Sequence, residues 1–139
     1  MMTLTGNHAR HAPTHRTATA RDLIDRVRSG LPIDAVDAVL AEGWLTLNEL
    51  DEVVLPRKTL SHRRKLGLLT PDQSDRLSRV TRIIALARET FGNDDKAKSW
   101  LRRPTAPLGG ESPLQILDTD QGVREVETLL GKISHGIAA

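Results

Sequence analysis

A stripe of apolar residues at three- and four-residue spacing runs through the middle of the chain: Leu77, Val80, Ile84, Ala87 and Phe91. Residues so spaced share one face of an α-helix and no face of a strand. The stripe has a marked start and stop. Thr70-Pro71-Asp72-Gln73 is a capping box with Pro at the first helical position, where its missing N–H is no loss. Gly92 closes the run, glycine being the residue that most readily takes the left-handed turn after a helix. A helix of about 20 residues reaches about 30 Å. In a chain of 139 residues such an element is long enough for two lobes to share.

The remaining residues point to more helices. With one Phe, two Trp and no Tyr, the core is built from Leu, Val, Ile and Ala, which suits helices better than strands. Thr19 to Arg28 reads as a first helix with Leu23, Ile24 and Val27 on one face and Gly30 as its stop. Pro32 sits near a second start, followed by Ile33, Val36, Val39 and Leu40 up to Gly43. Thr46-Leu47-Asn48-Glu49 is another capping box, opening a helix with Leu47, Leu50, Val53 and Val54 as its stripe. Leu55-Pro56 ends it. A short helix from about Lys58 to Lys65 follows, with Leu60 as its core residue and Gly67 as its stop. After Gly92, Asn93 caps a helix that ends before Pro104, Ser112-Pro113 starts a short turn through Leu117, and Thr119 caps a last helix. Val123, Val126, Leu130 and Ile133 are its stripe and His135-Gly136 its end. The expected fold is all-α, an N-terminal helix-turn-helix domain over 19–69 followed by a small helical domain over 70–139, with seven or eight helices in two lobes that share the long one. Residues 1–18 read as a mobile tail. Its His8, His11 and His15 are irregularly spaced with no carboxylate nearby, and read as solvated rather than metal-binding.

Several function classes drop out. The chain has no Cys, hence no disulfide, thiolate nucleophile or thiolate metal site. Apolar runs are too short for a membrane span and nothing resembles a signal peptide, so the expected compartment is the cytoplasm. There is no phosphate-binding glycine loop, no HExxH and no GxSxG, and neither His62 nor His135 has a catalytic partner in sequence. An enzyme is not expected, nor a cofactor or metal.

Charge is more informative by position than by sum, since the net is only +2. Asp34 to Glu52 holds six acidic residues and no Lys or Arg, whereas Arg57 to Lys65 holds five basic residues and no acid. A capped helix, a tight break at Leu55–Arg57 and a short basic helix form a helix-turn-helix pattern. Arg57, Lys58, Arg63, Arg64 and Lys65 suit phosphates or guanine edges, and Thr59, Ser61 and His62 suit base edges or phosphate oxygens. A merely solvated basic helix is the competing reading. Arg76, Arg79 and Arg82 either widen the basic patch or pair with Asp72 and Asp75, and pairing is favoured for part of them.

The second informative stretch is Ala97 to Gly122. It contains three of the seven prolines and three of the ten glycines, together with Trp100, Leu101, Leu108, Leu114, Ile116 and Leu117. Breakers exclude a plain helix, and the apolar residues argue against a disordered linker. It is either a packed loop or a shaped surface gripped by another protein, built on Trp100, the Arg102–Arg103 pair and a rigid Pro/Gly turn.

From Ser74 to Gly136 the chain resembles the Xre/MbcA/ParS toxin-binding domain of bacterial antitoxins. The matching features are Arg76 and Arg79, Ala97, Trp100-Leu101, Arg103-Pro104, Leu108-Gly109-Gly110, Ser112-Pro113-Leu114, Asp118-Thr119-Asp120 with Gly122, Val126, Leu130-Gly131 and His135-Gly136. The part before it is similar to the Xre-like helix-turn-helix domain. The resemblance implies a non-enzymatic antitoxin. Its partners would be a cognate RES-domain toxin, an NAD-consuming enzyme whose active-site entrance it covers, and the promoter DNA of its own operon, bound as a homodimer. Carried over by position, Trp100, Arg102, Arg103, Leu108, Gly109, Ser112 and Pro113, with Lys132 to His135 at the end of the last helix, would face the toxin. Trp100 could equally be core, Gly109 and Gly110 could simply supply positive φ, and Asp118 and Asp120 suit caps better than contacts. A stand-alone repressor whose C-terminal domain only dimerises is the alternative. A metabolite-binding regulator is a weaker one, lacking any polar pocket that can be named.

Overall fold

A computed structural model describes residues 19–136, so the N-terminal tail and its three histidines lie outside the described residues. Seven α-helices occupy this span: α1 (Ala20–Ser29), α2 (Asp34–Ala41), α3 (Leu47–Val53), α4 (Leu60–Leu66), α5 (Pro71–Phe91), α6 (Asp94–Leu101) and α7 (Asp120–Ser134). Short 3-10 turns at Arg57–Thr59, Ala106–Leu108 and Leu114–Ile116 complete the helical structure. No strand forms among the described residues; one antiparallel bridge, Pro32 to Leu68, ties the segment before α2 to the segment before α5. Leu69 N–H donates to the Leu31 carbonyl at 2.9 Å and Ile33 N–H to Gly67 at 3.0 Å.

The capping residues are where the starts were expected. Thr46 and Thr70 each close a reciprocal box, with Glu49 and Gln73 respectively. Asn93 caps α6 and Thr119 caps α7. Gly67 and Gly92 take left-handed φ of 80° and 62° to stop α4 and α5.

α5, 21 residues long, is the axis of the molecule. Leu77, Val80, Ile83 and Ala87 on it have no exposed surface. Burying each large side chain contributes about 1.5–3 kcal/mol. α1, α6 and α7 all lie along it, and one continuous apolar core joins residues from every helix except α1. The buried Ser74 on α5 accepts a hydrogen bond from Leu31 N–H at 2.8 Å. Ion pairs stitch α5 to α7: Arg82 to Glu127 at 2.8 Å and Arg79 to Asp120 at 3.4 Å. Arg79 also pairs with Asp75 one turn back at 3.6 Å, whereas the partner of Arg82 is remote in sequence.

α1 departs from expectation. It packs along α5 yet buries no residue completely, and Leu23 and Ile24 remain 39% and 42% exposed. Its stripe lines an open hollow with the α5 residues Asp75, Ser78, Arg79 and Arg82 and with Asp120 at the start of α7, so it stays only partly covered.

Candidate nucleic-acid and protein interfaces

The basic element follows α3 at a tight corner. Val54 and Leu55 are buried there, and Leu55 N–H donates to the Leu50 carbonyl at 3.1 Å. Pro56 turns the chain into the Arg57–Thr59 turn, and Asp51 Oδ1 accepts from Arg57 N–H at 2.6 Å, fixing its start. Leu60, 4% exposed, pins α4 to the core. This is the expected helix-turn-helix, its second helix beginning in a 3-10 turn.

The polar side chains of this element divide into two groups. Arg57 donates from Nη1 to Asn48 Oδ1 at 3.1 Å. Thr59 Oγ1 donates to the Pro56 carbonyl at 2.8 Å. Arg63 donates to the Leu68 carbonyl at 3.3 Å, and Arg64 pairs with Asp37 of α2 at 2.9 Å. Lys58, Ser61, His62 and Lys65 are exposed, and no hydrogen bond or ion pair engages their side chains among the described residues. The acidic stretch noted in the sequence is partly used up by these contacts: Asp37 and Asp51 both serve the basic element.

At the end of α6, Trp100 is buried, 8% exposed, with its ring centroid 5.5 Å from that of Phe91. The two arginines after it part company. Arg103 is exposed and unengaged among the described residues. Arg102 turns inward to α3: its Nε donates to Glu49 Oε2 at 3.0 Å and its Nη2 to Glu49 Oε1 at 2.8 Å. The expected pair of surface guanidinium groups is therefore one surface group and one internal clamp. Burial would raise the Glu49 carboxyl, but hydrogen bonds from Arg102 and Thr46 and the Arg102 charge outweigh it and hold the group below its usual value.

The Pro/Gly stretch is a closed turn. Thr105 N–H donates to Glu111 and Gly110 N–H to Thr105, both at 3.1 Å. Gly109 and Gly110 have φ of 72° and 84°, so the positive-φ role is real. Leu108 anchors the turn in the core and Gly109 is exposed at its tip. Ser112 and Pro113 are buried, and Ser112 forms a reciprocal box with Gln115. Lys132 is exposed; His135 is exposed too, its Nδ1 2.7 Å from the Gly131 carbonyl at the end of α7.

These nine residues do not converge on one hollow. Arg102 and Ser112 line a groove with Glu49, Glu52 and Val53. Leu108 and Lys132 line another along α7, and Trp100 and Arg103 a third beside Phe91. Sequence reasoning missed Asn48, Asp37, Lys98 and Trp44 as working parts. Trp44 is 3% exposed, with Lys98 Nζ 5.0 Å and the Arg88 guanidinium 5.6 Å from its ring. A tryptophan directly after a helix-ending Gly43 was the available signal for Trp44. No local pattern announces its cations. Among the described residues no cluster able to hold a metal forms, and no helix is long and apolar enough to cross a membrane.

Two families match the chain in tandem. Residues 22–82 match the Antitoxin Xre-like helix-turn-helix domain, and residues 86–136 match the Antitoxin Xre/MbcA/ParS C-terminal toxin-binding domain. A protein named Antitoxin Xre from Yersinia enterocolitica is 32% identical over 120 residues, covering 83% of this chain and 80% of its own. Another of that name from Pseudomonas putida is 38% identical over 112 residues, covering 80% and 70%. A Sphingobium protein named Prs ADP-ribosylating antitoxin is 33% identical over 86 residues, covering 60% and 51%.

Proposed function

The chain belongs to the Xre antitoxin family, and from that premise we propose that it captures and occludes a RES-domain, NAD-degrading toxin and represses its own operon by binding the promoter as a homodimer. The observation that carries the DNA half is the row of exposed, unengaged side chains on and beside α4. Lys58 and Lys65 contact phosphates, and Ser61 and His62 contact base edges. Arg57, Thr59, Arg63 and Arg64 support them from behind through their contacts to Asn48, Pro56, Leu68 and Asp37. A reading helix of 7 residues covers little of a groove, which favours two copies on two half-sites about one helical turn apart.

The toxin half rests on the family match over α6, the closed turn and α7. Arg103, Gly109, Lys132 and His135 make the exposed contacts, while Trp100, Arg102, Leu108, Ser112 and Pro113 shape that surface from beneath. Arg is enriched at such interfaces and suits an acidic partner surface. The Sphingobium relative, whose name joins antitoxin to ADP-ribosylation, favours a toxin that uses NAD. Tagged chain co-expressed with the product of the adjacent gene tests this. The wild type should copurify with it and restore growth. Arg103→Glu combined with Lys132→Glu should lose both while melting at the wild-type temperature. Full rescue by that variant would show the toxin face to be elsewhere.

A further inference from the structure

The turn between α2 and α3 carries three carbonyls, those of Glu42, Gly43 and Trp44, just past the end of α2, where the chain leaves the helix and backbone acceptors need partners from elsewhere. Their side-chain donors come from the toxin-binding half. Lys98 Nζ donates to the Glu42 carbonyl at 2.6 Å. Arg102 Nη2 lies 3.4 Å from the Gly43 carbonyl and 3.2 Å from that of Trp44. The same guanidinium grips both oxygens of Glu49, the box residue of α3. On either side of Glu49, the α3 residues Asn48 and Asp51 hold Arg57, where the reading element starts. A run of hydrogen bonds therefore leads from the end of α6, through α3, to the head of α4.

We propose that Arg102, assisted by Lys98, is a positioning residue for DNA reading: it fixes the pose of α3 and hence of α4 without touching DNA itself. This rests on the DNA reading given above and places a residue of the toxin-binding half in the service of the other one. A two-point clamp restrains rotation of α3 as well as its distance, which a single contact does not. Positioning and contact differ in salt dependence. Each lost phosphate contact flattens the log–log salt slope by about 0.9, whereas a mispositioned helix loses affinity with the slope kept.

The test measures binding of the full chain to a labelled duplex of the DNA upstream of its gene, across a salt series. Melting curves show that each variant is folded at the assay temperature. Arg102→Ala should raise Kd about tenfold, within the range typical of coupling between sites, with the wild-type slope. Arg102→Lys, which keeps the charge and loses the fork, should lie between the two. Glu49→Gln should match Arg102→Ala, and the double variant should be no worse than either, as members of one clamp require. A wild-type Kd for folded Arg102→Ala, or strict additivity, overturns the proposal, and so does a slope lowered by about 0.9, which would mean direct phosphate contact. If Arg102→Ala does not fold, the isosteric Glu49→Gln decides by the same criteria. Failure of the wild type itself to bind would overturn the DNA reading and this proposal with it. Binding lost by Lys65→Ala yet unchanged in the clamp variants would overturn only the clamp.

Discussion

Glu49 has two partners that act together on its carboxylate: Oε1 accepts from the backbone N–H of Thr46 and from Arg102 Nη2, and Oε2 accepts from Arg102 Nε. Its carboxyl is held below the usual range. A depressed folded value contributes stability that is fully present above the unfolded pKa of about 4.3 and is lost as pH falls through the folded one. The urea midpoint should therefore fall more steeply below about pH 4.5 in the wild type than in Glu49→Gln, with the variant less stable at pH 7. Parallel curves would mean that the pairing contributes nothing. Gly122 is a second residue whose chemistry is fixed by its surroundings. It is buried in the first turn of α7, and a Cβ there would collide with the Ile116 carbonyl oxygen. Alanine gains about 1 kcal/mol of helix propensity, but pushing a backbone carbonyl aside costs more. Gly122→Ala should lose about 2–3 kcal/mol in denaturant titrations.

Among the elements, α4 shows what sequence does and does not announce. Its stop at Gly67, its anchor Leu60 and its basic character were all legible. Which of its charges remain available was not, because that depends on Asp37 and Asn48, brought in from other helices. Lys58→Ala with Lys65→Ala should weaken DNA binding and lower the log–log salt slope by about 1.8, two phosphate contacts at about 0.9 each. Arg64→Ala should leave the slope unchanged, costing at most about 1 kcal/mol of stability through its half-exposed pair. Helix starts were legible for a similar reason: Thr46, Thr70, Asn93 and Thr119 each act on an amide three residues ahead. Arg102 with Glu49, or Lys98 with Trp44, spans more than a third of the chain. No periodicity connects such partners, so the Arg102–Arg103 dipeptide looked like one unit when its members face different ways. α1 misled in the opposite sense, since a clear apolar stripe says nothing of how many neighbours will cover it.

Across the whole molecule, the two family matches meet inside α5, between residues 82 and 86, where the core is continuous. The fold should therefore unfold in one transition seen equally by far-UV dichroism and tryptophan fluorescence. A fragment ending at residue 82 loses Ile83, Ile84 and Ala87 from the core along with the cations over Trp44. It should show little NMR dispersion, and a well-dispersed spectrum would establish an autonomous N-terminal unit. The continuity of α5 also limits how relatives can exchange specificities. A chimera that grafts one member's toxin-binding domain onto another's helix-turn-helix domain has no flexible seam to join at. It must splice within a rigid rod, keep the rod's phase, and inherit the Glu49–Arg102 lock from a single parent or lose it.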